Sequence, residues 1–348
     1  MTTLITVALA TPLDPALRHL ISDIEGVQLR ADDDLLPPQR FPGDHDGQPG
    51  YRRTRAQQRA YEDLLASADT FFGIPDTDPA ALADAVRANP RLRWVHTMAA
   101  GGGAQVKQAG LGDQELQRIV FTSSAGVHGD SLAEFAVFGV LAGAKDLPRL
   151  RTQQAGHHWS GRWAMKQVHD QTVLVVGLGG IGSATARLLK GLGARVLGVK
   201  RVPEQVPFVD QVYPVDQLAH LVGQADAIVF TLPGTAATEG LYDRALIAAT
   251  KPGVVIVNVG RGTVIDEPAL IDALRSGHVG AAFLDVVAVE PLPIDSPLWE
   301  MPQVVIAPHT AALNDQEERR IVDLFTDNLE RLRDGRPLVN VIDTRHFY

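Results

Sequence analysis

The sequence predicts an α/β protein built on parallel sheets, and three observations carry this prediction. Short apolar runs alternate with helical or loop segments, beginning with TLITVALA, where residues 4–10 are predicted to form a buried strand. In the second half of the chain these runs are continuous, as expected for strands that are covered on both faces. The length of 348 residues is enough for two domains, each with its own core.

Composition excludes several classes of protein. The net charge of −9 argues against a nucleic-acid partner, and the absence of cysteine excludes disulfides and thiolate chemistry. His157 and His158 are adjacent but have no third ligand at a sensible spacing, so no metal site is predicted. The N-terminal segment has no basic region, and its apolar run is too short to span a bilayer. We therefore expect no targeting signal, no membrane association and a cytoplasmic location.

Two helices are predicted outside the main alternation. Asp130 is predicted to cap a helix over SLAEFAVFGVLAGAKDL, residues 131–147, which is apolar nearly all round. Such a helix needs burial on more than one side, so it favours a subunit interface, although core packing within one chain also explains it. Residues 315–335 are predicted to form an amphipathic helix that ends at Gly335. Its apolar side is made of Ile321, Leu324, Phe325 and Leu332.

The segment GLGGIG, residues 177–182, predicts a dinucleotide site. It follows the apolar run VLVV, opens a helical stretch and is completed by the run RVLGV. In this context the first glycine permits a tight turn, the second lets the backbone approach a pyrophosphate, and the third permits close helix–strand packing. The helix N-terminus offers free N–H groups to the anion. The predicted cofactor contacts here are Gly177, Gly179, Gly180, Ile181 and Gly182.

The second strand of this unit ends at Val199 and is followed by Lys200 and Arg201. An acidic residue in this place accepts hydrogen bonds from the adenosine ribose and favours NAD, whereas a cation favours a 2′-phosphate. We therefore expect NADPH to be preferred and leave NADH open. The alternative is that both side chains point into solvent and that selectivity is weak.

Three successive apolar runs end in chemically capable residues. Arg261 follows VVIVNVG, Asp285 and Glu290 follow AAFL, and His309 follows VVIAP. Ligands of open α/β sheets bind at the carboxyl ends of the strands. A guanidinium can bind a carboxylate, an imidazole can exchange a proton with a carbonyl oxygen, and a carboxylate can orient that imidazole. The set predicts hydride chemistry on a 2-oxo acid.

The segment HTMAAGGGA, residues 96–104, is the candidate substrate loop of the first domain. Backbone N–H groups of Ala100, Gly101 and Gly102 are predicted to bind the substrate carboxylate together with Arg261. A flexible loop is the alternative interpretation.

The second half of the chain resembles the D-isomer-specific 2-hydroxyacid dehydrogenases over residues 172–312. The matching segments are TVLVVGLGGIG, LPGTAAT, KPGVVIVNVGRGTVIDEPALIDALRSGHVGAAFLDVVAVEPLP, SPLW and VVIAPHTA. The resemblance implies a Rossmann dinucleotide-binding domain, residues 125–312, inserted into a flavodoxin-like substrate domain, residues 1–124 and 313–348. It also implies a homodimer, with the site in the cleft between the domains.

The resemblance assigns roles to the site residues. Arg261 binds the carboxylate of a small 2-oxo or 2-hydroxy acid, and Glu290 with His309 forms the acid–base pair. Asp285 contacts the nicotinamide amide. The remaining cofactor contacts lie on the neighbouring strand ends: Leu232, Pro233, Thr238 and Val259. The implied reaction is reduction of a 2-oxo acid to a D-2-hydroxy acid, or the reverse.

The chain departs from the family pattern in three places. Lys200 replaces the usual acid, as in branches that use NADPH, AAGGGA replaces the usual substrate loop, and PHTAAL lacks a common glycine. The rivals are formate dehydrogenase, which pairs its histidine with glutamine where this chain has Glu290, and phosphoglycerate dehydrogenase. A dinucleotide-sensing corepressor shares the architecture and is the non-enzyme alternative.

Overall fold

A computed structural model describes residues 4–347. Residues 1–3, which belong to the segment predicted to lack a targeting signal, and Tyr348 lie outside the described residues. Contacts divide the chain into two compact units. Unit 1 runs up to His128 and resumes at Leu313, and unit 2 is Gly129–Ala312. No helix among the described residues is long and apolar enough to cross a membrane.

Unit 1 is a five-stranded parallel sheet with helices. Its strands are β1 Ile5–Leu9, β2 Val27–Arg30, β3 Thr70–Phe72, β4 Trp94–Thr97 and β5 Val120–Ser123. Its helices are α1 His19–Ser22, α2 Arg55–Ala66, α3 Pro79–Ala88, α4 Gly103–Gln108, α5 Asp113–Arg118 and α12 Glu317–Arg333. The strand order is β2-β1-β3-β4-β5 with every pair parallel, which is the flavodoxin-like order.

The C-terminal helix α12 belongs to the core of unit 1. Its apolar side is buried as predicted at Ile321 and Phe325, and it ends just before Gly335, whose φ of 67° suits glycine. The ring of Phe325 stacks on Trp94, with 4.7 Å between centroids, and meets Phe72 edge-on at 5.1 Å. These contacts attach a distant part of the sequence to the sheet.

Unit 2 is a seven-stranded parallel sheet. Its strands are β6 Thr172–Val176, β7 Arg195–Val199, β8 Gln211–Tyr213, β9 Ala227–Phe230, β10 Val254–Asn258, β11 Val279–Leu284 and β12 Val304–Ile306. Its helices are α6 Gly129–Ala144, α7 Leu147–Ala155, α8 Gly180–Gly191, α9 Leu218–Val222, α10 Arg244–Ala248 and α11 Glu267–Arg275. Short 3-10 helices occur in both units at Pro15–Leu17, Asp33–Leu35, Pro75–Thr77, Val168–Asp170, Val215–Gln217, Gly262–Val264 and Pro297–Glu300.

The order β12-β11-β10-β9-β6-β7-β8 is that of a doubly wound dinucleotide-binding sheet. Both faces of the sheet are covered, which explains the continuous apolar runs. Alternate residues of β6 face two separate cores: Val173 and Val175 pack with α6 and α8, and Leu174 and Val176 pack with α9, α10 and α11.

The structure corrects the predicted helix at residues 131–147. Helix α6 begins at Gly129, where the backbone packs against Gly180, so Asp130 lies inside the first turn and pairs with Arg187 at 3.0 Å. The helix stops at Ala144 because Asp146 adopts a left-handed conformation (φ 55°) before α7 begins. One face of α6 is buried in unit 2, whereas Phe138 remains 44% exposed.

A chain of buried polar groups holds the carboxyl ends of β4 and β5 together. Trp94 Nε1 donates to Thr122 Oγ1 at 2.8 Å, and the ring of His96 lies between Thr122 Oγ1 at 2.8 Å and Ser124 Oγ at 3.1 Å. Ser124 Oγ donates to the carbonyl of Thr97 at 3.1 Å, directly before the predicted substrate loop. Burial lowers the pKa of His96 to about 3, so this histidine is neutral in the folded protein.

This burial makes unit 1 sensitive to acid. Below pH ~6.5 the unfolded chain protonates His96 while the folded protein does not, so the stability present above pH 6.5 is lost as pH falls towards 3. Between pH 7 and 5 we expect wild type to lose about 2 kcal/mol more unfolding free energy than His96→Gln. Denaturant titrations followed by fluorescence of buried Trp94 measure this difference. His19→Gln, at an exposed position of unit 1, is the control, and equal losses in all three proteins would contradict the prediction.

Candidate active site

The candidate site is built on one level row of strand ends in unit 2. The register pairs Val176 with both Val199 and Phe230, Phe230 with Asn258, and Asn258 with Leu284. Leu284 in turn pairs with Ile306. Because all these strands are parallel, the segments that follow them leave the sheet at the same edge and the same height. Every predicted site residue of unit 2 belongs to one of these segments.

The glycine turn after β6 has the backbone that the sequence predicts. Gly177 has a φ of 102°, a left-handed conformation that favours glycine, and its carbonyl accepts from Thr231 Oγ1 at 2.7 Å. A Cβ on Gly182 would lie 1.9 Å from the Gly177 carbonyl oxygen, so only glycine fits where α8 packs under the turn. Both contacts involve only the backbone of GLGGIG.

The turn fits the pyrophosphate of a dinucleotide. A Cβ on Gly179 would meet nothing within 4 Å, so the backbone there is open to a ligand, and Gly180 beside it is exposed. The N–H of Ser183 donates to the Gly179 carbonyl at 2.9 Å and makes the first hydrogen bond of the helix. The N–H groups of Gly180, Ile181 and Gly182 precede it and therefore have no acceptor within the helix. Free N–H groups at the N-terminus of a 12-residue helix suit a phosphate.

Two alanine substitutions separate folding from ligand binding in this turn. Gly182→Ala forces backbone apart and is expected to destabilise unit 2 by about 1–3 kcal/mol, as overpacking does. Gly179→Ala is expected to leave stability within about 0.5 kcal/mol of wild type, because its methyl meets open space. If that space belongs to a pyrophosphate, Gly179→Ala weakens NADPH binding about tenfold. Calorimetric melting and NADPH titration measure both, and unchanged affinity in Gly179→Ala would place the phosphates elsewhere.

Lys200 directly follows β7, beside the glycine turn, because the Gly177 N–H donates to the Val199 carbonyl at 2.9 Å. The Lys200 ammonium forms an ion pair with Glu204. The hydrogen bond from Lys200 lowers the pKa of the Glu204 carboxyl. Lys200, which is predicted to bind the 2′-phosphate, is therefore already paired with a carboxylate. The sequence analysis did not predict this contact.

Three predicted cofactor residues follow β9. Leu232 is half-buried and Pro233 is exposed. Thr238 Oγ1 donates to the Pro233 carbonyl at 2.6 Å and accepts from the N–H of Thr235 at 2.9 Å, so its hydroxyl closes the loop 233–238 on itself. Val259, after β10, is only 2% exposed and its side chain packs in the core. The cofactor roles of these residues stay predictions.

Arg261 is presented by a tightly held turn after β10. The buried Asn258 side chain accepts from the Gly260 N–H at 3.0 Å and donates to the Arg261 carbonyl at 3.0 Å. A Cβ on Gly262 would lie 1.9 Å from the Val287 backbone, so the turn passes in contact with the segment after β11. The guanidinium is exposed, and its Nη1 donates to the Gly260 carbonyl at 2.7 Å. Within residues 4–347 it makes no hydrogen bond to Glu290 or His309.

Glu290 and His309 are brought together as predicted, although 19 residues separate them. His309 Nδ1 lies 2.8 Å from Glu290 Oε2, and the other carboxylate oxygen accepts from the Val287 N–H at 3.2 Å. The side chains are 46% and 38% exposed respectively, so both are accessible in unit 2. A carboxylate on Nδ1 orients the ring, and it leaves Nε2 for another partner.

Asp285 anchors the segment that carries His309. The carboxylate is 2% exposed, and its Oδ1 accepts from the N–H groups of Thr310 and Ala311, both at 2.9 Å. Its carbonyl accepts from the N–H of His309 at 2.9 Å. His309 has a φ of 53°, which is unfavourable for a histidine and is held in place by these three bonds. Asp285 therefore positions His309, a role in addition to the predicted contact with the nicotinamide amide.

The predicted substrate loop lies in unit 1 and follows β4. The N–H of Gly102 donates to the Ala99 carbonyl at 3.2 Å, and a Cβ on Gly102 would lie 1.7 Å from Thr97 Oγ1. The N–H of Gly102 is thus engaged in a turn and is not open to a carboxylate. Of the three predicted backbone N–H contacts with the substrate carboxylate, those of Ala100 and Gly101 remain. Both of these residues are exposed.

Sequence reasoning missed several residues that hold the site in shape. Asn258 orients the Arg261 turn, Thr231 ties the glycine turn to β9, and Glu267 Oε2 accepts from the Ala288 N–H at 2.9 Å. Asn258 and Thr231 carry a usable signal, because each is a polar residue at the end of an otherwise apolar strand. Glu267 has none, since its partner lies 21 residues away.

Residues 137–311 match the family model described as D-isomer specific 2-hydroxyacid dehydrogenase, NAD binding domain. This match spans half of the chain and includes all the predicted site residues of unit 2. The chain belongs to the D-isomer specific 2-hydroxyacid dehydrogenase family. Membership confirms the predicted α/β fold with a Rossmann domain, the oxidoreductase class and the nicotinamide cofactor.

Named relatives cover most of the chain. It is 29% identical over 312 residues to glyoxylate/hydroxypyruvate reductase B of Pectobacterium atrosepticum, covering 82% of this chain and 96% of that enzyme. It is 35% identical over 239 residues to D-3-phosphoglycerate dehydrogenase of Mycobacterium tuberculosis. That match covers 68% of this chain but only 44% of that enzyme, so the chain spans less than half of its length.

A solved structure matches the whole chain. It is a D-isomer specific 2-hydroxyacid dehydrogenase from Xanthobacter autotrophicus Py2 in complex with NADPH and MES. The sequence identity is 28%, the TM-score is 0.78, and the match covers 99% of this chain and 100% of the other. The likeness therefore extends to unit 1, where the sequence resemblance is loose.

Proposed function

We propose that this dehydrogenase reduces a short 2-oxo acid to a D-2-hydroxy acid, or catalyses the reverse reaction, with NADPH as its preferred cofactor. The observation that carries the proposal is the Glu290–His309 pair at 2.8 Å. Glu290 follows the same strand as Asp285, β11, and His309 follows its neighbour β12, whereas Arg261 follows β10 on the other side of β11. Glyoxylate and hydroxypyruvate are the substrates named for a relative that matches most of the chain, and they are the candidates here.

Each side chain has one task in the proposed reaction. The Arg261 guanidinium binds the substrate carboxylate through two parallel hydrogen bonds and so fixes the adjacent carbonyl group. The chemistry supplied by the bound nicotinamide is hydride transfer to the carbonyl carbon. His309 Nε2 donates a proton to the carbonyl oxygen in reduction and accepts it in oxidation. Glu290 accepts from Nδ1–H of His309 and so fixes the ring orientation and the tautomer that the reaction needs.

The glycine turn and Lys200 support the choice of cofactor. Gly177, Gly179, Gly180, Ile181 and Gly182 would hold the pyrophosphate against the N-terminus of α8. Lys200 and Arg201 would lie beside the 2′-phosphate, where a cation is favourable and an acid is not. A related enzyme whose structure matches the whole chain was crystallised with NADPH. Unit 2 is thus assigned as the dinucleotide-binding domain and unit 1 as the substrate domain.

A substrate panel tests the proposal directly. NADPH and NADH oxidation are followed at 340 nm with glyoxylate, hydroxypyruvate, a branched 2-oxo acid and 3-phosphohydroxypyruvate. We expect turnover with at least one unphosphorylated acid and a higher kcat/KM with NADPH than with NADH. The phosphorylated acid serves as the comparison for phosphoglycerate dehydrogenase activity. NADPH binding without turnover of any acid would favour a dinucleotide sensor instead.

A homodimer and a cytoplasmic location stay predictions. Phe138 of helix α6 supports a subunit interface on unit 2. Its ring packs on Phe135 and Phe283, yet this apolar side chain remains 44% exposed.

A further inference from the structure

The loop after β7 places a carboxylate where the adenosine ribose is expected. Lys200 follows the strand end that is level with the glycine turn, and its ammonium is paired with the carboxylate of Glu204. The loop is held on both sides of this pair: the Lys200 N–H donates to the Tyr213 carbonyl at 3.0 Å, and Val206 and Val209 are buried in the core. The backbone on both sides of Glu204 is thus anchored, so the residue stays within reach of Lys200.

We propose that Glu204 sets the cofactor preference of this enzyme by competing with the 2′-phosphate of NADPH for Lys200. The inference rests on the proposed function, because it assumes that a dinucleotide occupies the glycine turn. Glu204 is four residues beyond the position at which dinucleotide enzymes of this fold carry a ribose-binding acid. Through its bond to Lys200, Glu204 brings a carboxylate back to that place although the strand itself ends on a cation.

The pair acts differently on the two cofactors. With NADH, the Glu204 carboxylate can accept hydrogen bonds from the ribose hydroxyls while Lys200 remains neutralised. With NADPH, a phosphate of charge about −1.5 to −2 takes Lys200, and Glu204 is left as a like-charged neighbour. Exposed ion pairs are weak, so the phosphate can displace Glu204, but the remaining repulsion reduces its affinity. The result is an enzyme that uses both cofactors with a narrow preference.

The test is Glu204→Gln, which keeps the size of the side chain and removes its charge. The full chain is titrated calorimetrically with NADPH, NADH, adenosine 2′,5′-bisphosphate and 5′-AMP. We expect the bisphosphate to bind about five- to tenfold more tightly to Glu204→Gln, since its 2′-phosphate no longer competes with a carboxylate for Lys200 and no longer meets a like charge at short range. 5′-AMP and NADH are expected to bind to Glu204→Gln as well as to wild type or more weakly. The preference of the variant for NADPH over NADH therefore rises about tenfold or more relative to wild type.

Two further variants separate the pair from a general charge effect. Glu300→Gln removes the same charge from an exposed position before β12, at the other side of the sheet from β7, and should leave every affinity unchanged. In a Lys200→Gln background, Glu204→Gln should gain clearly less for the bisphosphate than it does in wild type, because the competition for the cation is gone and only the repulsion between carboxylate and phosphate remains. A full gain in that background, or a gain in Glu300→Gln, would overturn the inference.

The outcomes also distinguish this inference from the proposed function. If wild type binds NADPH and the ratio of bisphosphate to 5′-AMP affinity is unchanged in Glu204→Gln, only the role of Glu204 is wrong. If wild type binds none of the four compounds, the dinucleotide site itself is wrong and both proposals fall.

Discussion

His309→Gln is expected to lower kcat by about 10²–10⁴, the usual range for loss of a general acid–base. The glutamine amide keeps a similar volume but cannot transfer a proton to the substrate oxygen. The change should leave the fold intact, because the ring is 46% exposed and the three bonds that hold its segment to Asp285 come from backbone N–H groups. Steady-state kinetics with the best acid of the substrate panel measure the loss, and the Kd of NADPH should stay near that of wild type.

The matched control is His220→Gln, the same change at an exposed histidine on α9. It should retain wild-type kcat. Glu290→Gln adds a finer comparison: the amide can still hydrogen-bond the ring of His309 but carries no charge, so its kcat should fall less than that of His309→Gln. Near-normal turnover in His309→Gln would remove the proposed acid–base role and, with it, the mechanism.

Arg261→Ala is expected to lower kcat/KM for a 2-oxo acid by about 10³, because the substrate carboxylate loses its two-donor partner. Arg261→Lys should recover only part of this loss, since an ammonium is a point charge without the planar fork of the guanidinium. The substitution is expected to be tolerated by the fold, because the side chain is exposed and its turn is held by Asn258.

A substrate without a carboxylate sharpens this test. Methylglyoxal has a carbonyl next to an aldehyde in place of the acid, so its slow reduction should be nearly equal in wild type and Arg261→Ala. Arg275→Ala, at an exposed arginine on α11, controls for loss of positive charge and should behave as wild type with every substrate. An equal loss with the acid and with methylglyoxal would show that Arg261 does not bind the carboxylate.

The sequence predicts every strand that lies inside a sheet and misses two of the four strands at the sheet edges. Six apolar runs of the second half, VLVVG, RVLGV, AIVFTLP, VVIVNVG, AAFLDVV and VVIAPH, all contain strands, because both faces of the sheet are covered and the side chains are continuously apolar. The two missed strands are Val27–Arg30, which is half-buried in alternation, and Gln211–Tyr213, which is short and partly exposed. Each lies at the edge of its sheet and carries polar residues, whereas the edge strands β5 and β12 keep an apolar run that the sequence shows.

The site shows the same division. Arg261, Glu290 and His309 are recognisable because each follows an apolar run, and their chemistry is fixed by residue type. Two features are not visible from the residues alone. The buried carboxylate of Asp285 anchors the segment of His309, and the N–H of Gly102 is engaged in a turn. Both depend on backbone geometry that no local pattern encodes.

By itself the sequence determined the two-part α/β plan, the glycine turn and the identity of the acid–base pair, since these reside in short segments whose spacing and polarity are local properties. Only the tertiary structure decided that the ends of β6, β7 and β9 to β12 lie level, that Glu290 meets His309 and that Glu204 pairs with Lys200. The physical reason is that sheet register and loop packing bring together groups that are separated along the chain, and such contacts form only when many strands and helices pack at once.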